Sequence, residues 1–397
     1  MLFAGLSAII MGVKRREFPL NQVSLRIRGS YIILLLLVLL LVFSSGCGGS
    51  SGSGVAGGNG HNDYGSITAS AASTLDDVES AFHAYYFESA YLISSSGYST
   101  IKEYVNSYHV FSKDIYTRYY KKQDLDQIET TLTTEEVMFS HLFGNVGYIS
   151  FDRFVEGTAD RVALVVKALV NAGATSLILD LRVNGGGYPG ECNKLVDFFT
   201  ATSPFPIYST TSSGSVEGTN SVFLLGESGN QQGHEQYFDA SNMVILTSAL
   251  TGSASEIFLA ALKFFGEASQ AGSVTFGKSR MVLFNRLATA DGYEITVSRI
   301  LHADGVDREG VGLLPDIETM APFVEAYSRF SGSTSVIPED PIIADFGFNT
   351  ANLPLIYDQA YWRNDHYQAA YKALFPAAKT LSPISICEGF FPSGKLR

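Results

Sequence analysis

Thr251-Gly-Ser253-Ala-Ser255-Glu256-Ile257 places a hydroxyl between a buried-looking apolar run and an amphipathic segment. As local structure, Ser253 reads as a helix N-cap, with Glu256 three places on completing a capping box. A serine that follows a strand and opens a helix is also where nucleophiles are presented, because the helix end favours developing negative charge. The two readings are compatible. Gly272-Ser-Val-Thr-Phe-Gly277-Lys278-Ser279 matches the G-x-x-x-x-G-K-[ST] phosphate loop letter for letter. Such a loop works only between a buried strand and a helix. Here the preceding Gly266–Ala271 reads as polar and strand-poor and the following residues read as β, so an NTPase is not expected. Gly185-x-Gly187-x-x-Gly190 matches the dinucleotide fingerprint, yet Pro189 sits in its loop and Ser203–Thr211 offers no carboxylate for a ribose hydroxyl. A glycine run after a strand still offers close backbone approach and free amides, which suit an oxyanion as well as a pyrophosphate.

These residues need elements to hold them. Val146–Phe151 reads as a strand, Ala159–Ala172 as an amphipathic helix and Ser176–Leu181 as a buried strand running into Asn184-Gly-Gly-Gly187. A helix follows from Pro189 to about Thr200. Met243–Thr247 is another buried strand, feeding a helix from Ala254 to Phe265. Strands alternating with helices predict an α/β core with much parallel pairing. After Lys278 the pattern turns β-rich, and Leu314-Pro-Asp-Ile317 closes the unit. Before the core, from Ser73 to about Phe143, the pattern is helical and rich in tyrosine, including Tyr104, Tyr108, Tyr116, Tyr119 and Tyr120. These rings are expected on half-buried helix faces, with an aromatic wall for a peptide groove as the alternative. The organisation is then an export segment over 1–46, a Gly/Ser-rich tether over 47–72, a helical N-terminal region over 73–143, a core over 144–320 and a C-terminal extension over 321–397.

Composition sets outer limits. With 46% hydrophobic and 17% charged residues, disorder and collagen are excluded. The net charge of −12 is unevenly spread, since 1–46 hold Lys14, Arg15, Arg16, Arg26 and Arg28 against Glu17, leaving −16 from Cys47 onward. Nucleic acid as a partner is excluded, because a polyanion needs a basic face. Three cysteines without C-x-x-C spacing make neither a disulfide framework nor a metal site, and no cofactor is expected.

The thirteen apolar residues Tyr31–Phe43 fall short of the ~20 that span a bilayer and fit the apolar part of a secretory signal. Ser44-Ser-Gly-Cys47 follows at once and resembles a lipoprotein signal box, with Cys47 as the lipidated residue. The charge-free Gly/Ser stretch behind it would act as a flexible tether. The resulting expectation is an exported chain, lipid-anchored to the cell envelope at the outer membrane or the periplasmic face. There Cys192 and Cys387 could pair, although nothing else links them.

In order along the chain, Asp180-Leu-Arg-Val-Asn-Gly-Gly-Gly187, Thr251-Gly-Ser-Ala-Ser-Glu-Ile257, Thr275-Phe-Gly-Lys278 and Gly312-Leu-Leu-Pro-Asp316 resemble the signature of the C-terminal-processing (tail-specific) serine peptidases. The resemblance covers Asn145 to Glu318 and implies a crotonase-like α/β core. It implies Ser253 as nucleophile and Lys278 as general base, with the amides of Ala254 and Gly186 as oxyanion donors and Ser255 and Glu256 supporting the helix start. The substrates implied are polypeptides of other extracytoplasmic proteins, unfolded or with apolar C-termini.

A Ser/Lys dyad requires a neutral lysine. Moving its pKa from ~10.4 to ~7–8 takes roughly 4 kcal/mol, supplied by desolvation, and Phe276, Val282 and Leu283 suit that need. Two departures stand out. Val282 and Phe264 occupy places where many relatives carry a glutamine or an aspartate that orients the lysine, and 73–143 leaves no room for the peptide-binding module that often precedes such cores. His302, beside Asp304 and Asp307, is expected in a surface turn. The competing class is a non-catalytic protein that holds a peptide or hydrophobic ligand on the same fold.

Overall fold

A computed structural model of the chain describes residues 67–69, 72–112, 114–200, 206–212, 221–227, 237–332, 336–348 and 353–362. The export segment, Cys47, most of the glycine-serine stretch and Cys387 lie outside the described residues.

The core is a six-stranded sheet whose polarity follows from the alternation of strands and helices. Strands β4 (Val146–Phe151), β5 (Ser176–Asp180), β8 (Met243–Thr247), β9 (Ser269–Gly272) and β12 (Ile317–Glu318) run parallel in the order β12-β9-β8-β5-β4. β3 (Met138–Phe143) closes the β4 edge antiparallel. Period-two alternation sends side chains to opposite faces. Leu177, Leu179, Met243 and Ile245 pack on one face with helices α4 (Thr158–Asn171), α5 (Pro189–Phe199) and α6 (Ala254–Phe264). Ile178, Val244 and Leu246 pack on the other face with Phe323 and Ala326 of α7 (Pro322–Ser331). A sheet covered on both faces reads as continuous apolar runs, which is why SLILD and MVILT carry hardly a polar residue. Each fully buried Leu or Ile contributes about 1.5–3 kcal/mol.

One expectation changes in the core. The stretch before β9 reads as polar, yet Ser269–Gly272 is a strand held between β8 and β12. Its polarity is absorbed inside the sheet, where the Gln270 amide donates to Thr247 Oγ1 at 2.9 Å. As expected, the chain after Lys278 enters strand β10 (Arg280–Arg286) and not a helix, so the phosphate-loop architecture is absent there. In the N-terminal region, α1 (Leu75–Tyr85), α2 (Ile101–Phe111) and α3 (Lys122–Thr133) are helices as expected. β2 (Arg118–Tyr120) and β3 are strands, because each has a sheet edge to join.

A second, mostly antiparallel sheet has the order β1-β10-β11-β6-β7, built from β1 (Ile67–Ala69), β10, β11 (Gly292–His302), β6 (Pro206–Ser212) and β7 (Ser221–Glu227), with β2 also on β11. The short strand β1 thus adds to the β10 edge from within the glycine-serine stretch. Over the N-terminal helices Phe82, Tyr86, Tyr104 and Tyr108 form a buried aromatic cluster against Tyr293, with ring centroids 4.5–5.9 Å apart. Most of these tyrosines serve as core.

The C-terminal segment returns to the end of the sheet. Arg182, fully buried, is forked between Asp180 of β5 and Asp340, the N-cap of α8 (Pro341–Phe346), with Arg182 Nη1 and Nη2 each 2.7 Å from an Asp340 oxygen. Tyr148 Oη donates to Asp180 at 2.7 Å. Removing the central cation leaves two carboxylates facing each other without compensation. Arg182→Met is therefore expected to destabilise the chain by about 3–5 kcal/mol in urea unfolding, and an unchanged midpoint would contradict this account.

Candidate active site

In parallel sheets, ligands bind outside the carboxyl ends of the strands. Three of those ends converge here. The Phe154 amide, after β4, donates to Gly186 O at 2.8 Å. The loop after β5 is sewn to the loop after β8 by Thr251 Oγ1 to Leu181 O (2.7 Å), Ser248 Oγ to Arg182 O (2.5 Å) and Ser255 Oγ to Asn184 Oδ1 (2.7 Å). Serines and threonines suit this task because a short hydroxyl reaches a neighbouring carbonyl without long flexible atoms.

Ser253 sits at the N-terminus of α6 with φ 55° and ψ −119°, in a region that residues with a Cβ rarely occupy. Such a backbone costs of order 1–3 kcal/mol and persists only where its surroundings over-determine it. A strained strand-to-helix turn of this kind lifts a side chain out of the helix surface. Gly186, at φ +106°, lies against it. A Cβ built on Gly186 would stand 2.7 Å from Ser253 Cβ and 2.9 Å from the Ala254 nitrogen, so only glycine permits the approach. The structure thus brings Ser253, Ala254 and Gly186 together. Ala254 is the first residue of α6, where a backbone N–H has no acceptor within the helix. The Gly186 N–H donates to Asn184 Oδ1 at 3.0 Å.

Lys278 reaches the same place through Glu256. One oxygen of this buried carboxylate, Oε2, accepts the N–H of Ser253 at 2.9 Å and the N–H of Lys278 at 2.8 Å. The other, Oε1, accepts the N–H of Gly277 at 2.8 Å and the Thr275 hydroxyl at 2.5 Å. Burial pushes the Glu256 carboxyl up to about 7, and the four donors work against that rise. The sequence expectation of a helix-start residue therefore understates Glu256. Its contact with Ser253 is half of a capping box, while its contacts with 275–278 lie 19 to 22 residues away along the chain.

The Lys278 side chain is fully buried, with Nζ 4.6 Å from the centre of the Tyr116 ring. The Tyr116 hydroxyl donates to Glu309 Oε1 at 2.7 Å, and Glu309 Oε2 accepts the Ser279 N–H at 2.9 Å. The loop carrying Lys278 is braced from outside by Gln359, whose amide donates to Thr275 O (2.6 Å), Phe276 O (3.2 Å) and Val311 O (3.1 Å). Tyr116, Glu309, Gln359 and Asn184 were not legible as site residues, since each arrives by tertiary contact; only the Asn184-Gly-Gly-Gly run gave any signal. His302 is corrected as well. It lies buried at the end of β11, with Nε2 3.0 Å from Ser279 Oγ, and burial holds its pKa down to about 4. Among the described residues no group of three or more His, Cys, Asp or Glu could hold a metal ion, and no helix is long and apolar enough to cross a membrane. Cys192 is buried in the core.

A serine on a strained turn at a helix start thus has a glycine beside it and a buried lysine whose backbone amide shares its carboxylate acceptor, a layout that can present a nucleophile and a base together. Residues 145–319 match the model of peptidase family S41. A probable CtpA-like serine protease of Staphylococcus haemolyticus is 26% identical over 202 residues, covering 49% of this chain and 36% of that protein. A chloroplastic C-terminal processing peptidase of Tetradesmus obliquus is 28% identical over 204 residues, or 47% and 39% of the two chains. Among solved structures, a photosystem II D1 C-terminal processing protease aligns with 24% identity and a TM-score of 0.37 over 48% of this chain and 47% of that one. The matches thus span well under two thirds of these relatives' own lengths.

Replacing Glu256 by glutamine tests the clamp. One oxygen becomes an NH2 that must face two of the four donors, leaving them unpaired at about 1–3 kcal/mol each. Glu256→Gln is expected to lower the thermal midpoint clearly and to loosen 275–278, visible as faster amide exchange at Gly277 and Lys278. Unchanged exchange there would remove Glu256 from this role.

Proposed function

We propose that the chain is a serine endopeptidase in which Ser253 is the nucleophile and Lys278 the general base. The observation that carries this reading is the single oxygen of Glu256 shared by the Ser253 and Lys278 amides, which couples the backbone of one to the backbone of the other. In this mechanism Ser253 Oγ attacks the scissile carbonyl carbon, its proton passes to a neutral Lys278 Nζ, and the carbonyl π electrons move onto oxygen. The oxyanion is received by the Ala254 N–H and by the Gly186 N–H, which exchanges Asn184 Oδ1 for it. Losing one such donor costs about 2.7–4 kcal/mol. The Lys278 ammonium then returns the proton to the leaving amine, and water repeats the sequence on the acyl-enzyme. Full burial favours the neutral amine that the first step needs.

The substrates we infer are extracytoplasmic polypeptides that are unfolded or end in apolar residues. Support comes from the family match, from relatives named as C-terminal processing peptidases, and from the apolar run Tyr31–Phe43 ahead of Cys47, which reads as an export signal and lipid site. No nucleic acid, metal or cofactor enters the scheme.

Incubating the protein with an unfolded polypeptide, beside Ser253→Ala and Lys278→Ala, is the direct test. Each variant is expected to lose at least about 10³-fold in turnover while keeping the fold. Equal turnover by all three would sink the dyad, and binding of the polypeptide without cleavage by the unaltered chain would favour the ligand-binding alternative. Turnover should also rise with pH between about 6 and 9, because a protonated Lys278 takes no proton and a protonated Glu256 cannot accept from all four donors. A flat profile would argue against the assignment. For the anchor, the mature protein should carry the mass of acyl chains, and Cys47→Ser should remove it.

A further inference from the structure

The lysine of this dyad needs an answering charge. When Lys278 takes the Ser253 proton it becomes an ammonium with no exposure to solvent, and such a charge is costly unless a carboxylate compensates it. Val282, four residues further along, is apolar and cannot compensate it. Glu256 cannot turn to it either, since both its oxygens are committed to the Ser253, Gly277 and Lys278 amides and the Thr275 hydroxyl.

A second fully buried carboxylate lies on β11. Glu294 pairs with Phe284 of β10 on one side and with Arg118 of β2 on the other, so its strand joins the one that Lys278 leads into and the one that follows Tyr116. Its Oε2 accepts the Tyr120 hydroxyl at 2.7 Å, while its Oε1 is buried and accepts no hydrogen bond among the described residues. Tyr116, whose ring lies 4.6 Å from Lys278 Nζ, stands two residues before the Arg118 that pairs with Glu294, and Tyr116 and Tyr120 share one buried cluster with Val282 and Phe284. Arg118 is engaged elsewhere, its Nη2 donating to Ile115 O at 2.9 Å. Asp114 also bears on Glu294, and its oxygens accept from Thr117, Thr296 and the Tyr116 amide.

We propose that Glu294 is the positioning residue of this site: an ionised, buried carboxylate that answers the charge Lys278 acquires on taking the Ser253 proton, while the Tyr116 ring seats the amine from below. This inference rests on the dyad reading. Glu294 takes no proton itself. The proton moves from Ser253 Oγ to Lys278 Nζ and on to the leaving amine, and Glu294 lowers the energy of the state between, as the buried aspartate does for the imidazolium of a serine-protease triad. Burial pushes the Glu294 carboxyl up to about 7, opposed first by Lys278, so the carboxylate becomes mostly ionised above about pH 7, in the upper part of the range in which the dyad works.

The test is the pH profile of kcat/KM for Glu294→Gln, with fluorescein-labelled casein as an unfolded substrate. Glutamine keeps the size and the acceptor for Tyr120 but removes the charge. Without the anion Lys278 loses its proton more easily, so the acid limb should move to lower pH by about one unit. The plateau kcat should fall about 10- to 100-fold, because the ammonium intermediate has lost its counter-charge, while KM stays nearly constant. A purely structural role would lower stability or rate without moving the limb, so an unmoved limb overturns the proposal. If Glu294→Gln does not fold, Tyr120→Phe decides. It removes the hydroxyl that holds Oε2, makes Glu294 a weaker anion and should move the limb the same way by less, and no movement there overturns the proposal equally. Full turnover by Lys278→Ala would instead sink the dyad itself, an outcome distinct from either of these.

Discussion

The four hydrogen bonds accepted by Glu256 decide whether the rest of the site exists. Ser253 begins the helix after β8 and Lys278 precedes β10, and no regular ladder connects the two residues directly. The carboxylate replaces such a ladder with one rigid acceptor whose two oxygens address two loops. Burying it carries a desolvation cost, visible as a proton affinity raised to about 7, and four well-placed donors offset that cost. A buried charge held this way has one good geometry, so it fixes the relative position of both loops where apolar packing would allow several.

The strained Ser253 backbone makes sense against this frame. Its unfavourable φ is held by the Glu256 contact on its own N–H, by Gly186 pressed against its Cβ, and by Asn184, which receives the Ser255 hydroxyl and the Gly252 amide. Local strain is thus maintained by contacts on three sides, two of them polar. The same contacts place the Ala254 amide at the helix end beside the serine, where the helix dipole and a donor without an acceptor inside the helix add in one direction.

Segments beyond 145–319 complete the pocket of the lysine. Tyr116, from the loop ahead of β2, underlies the amine, and Gln359 braces the carbonyls of the loop that carries it. The C-terminal segment is held down in turn by the Arg182–Asp340 pair and by Ile342, Phe348, Ile356 and Trp362 packed on Val183, Leu250 and Phe276. Residues 145–319 supply Ser253 and Lys278, and the flanks supply residues that enclose the lysine.

Strand and helix positions in the core were legible because a sheet covered on both faces must be built from apolar runs, and MVILT, SLILD and the helix that Ser253 opens follow that rule. The order of four short stretches pointed to Ser253 and Lys278 as the proposed dyad, since spacing along a chain survives in the sequence. What the sequence could not express is contact between residues far apart in it. Glu256 looked like a cap because its near partner is three residues away, while its other partners lie across a loop. Ser269–Gly272 looked polar and strand-poor because its hydrogen bonds are satisfied by neighbouring strands. Tyr116, Glu294 and Gln359 looked like ordinary surface or core residues. Periodicity reports the face a residue turns to, and only the closed tertiary structure decides which charges and donors meet behind that face, since their energy depends on a burial that no single segment possesses by itself.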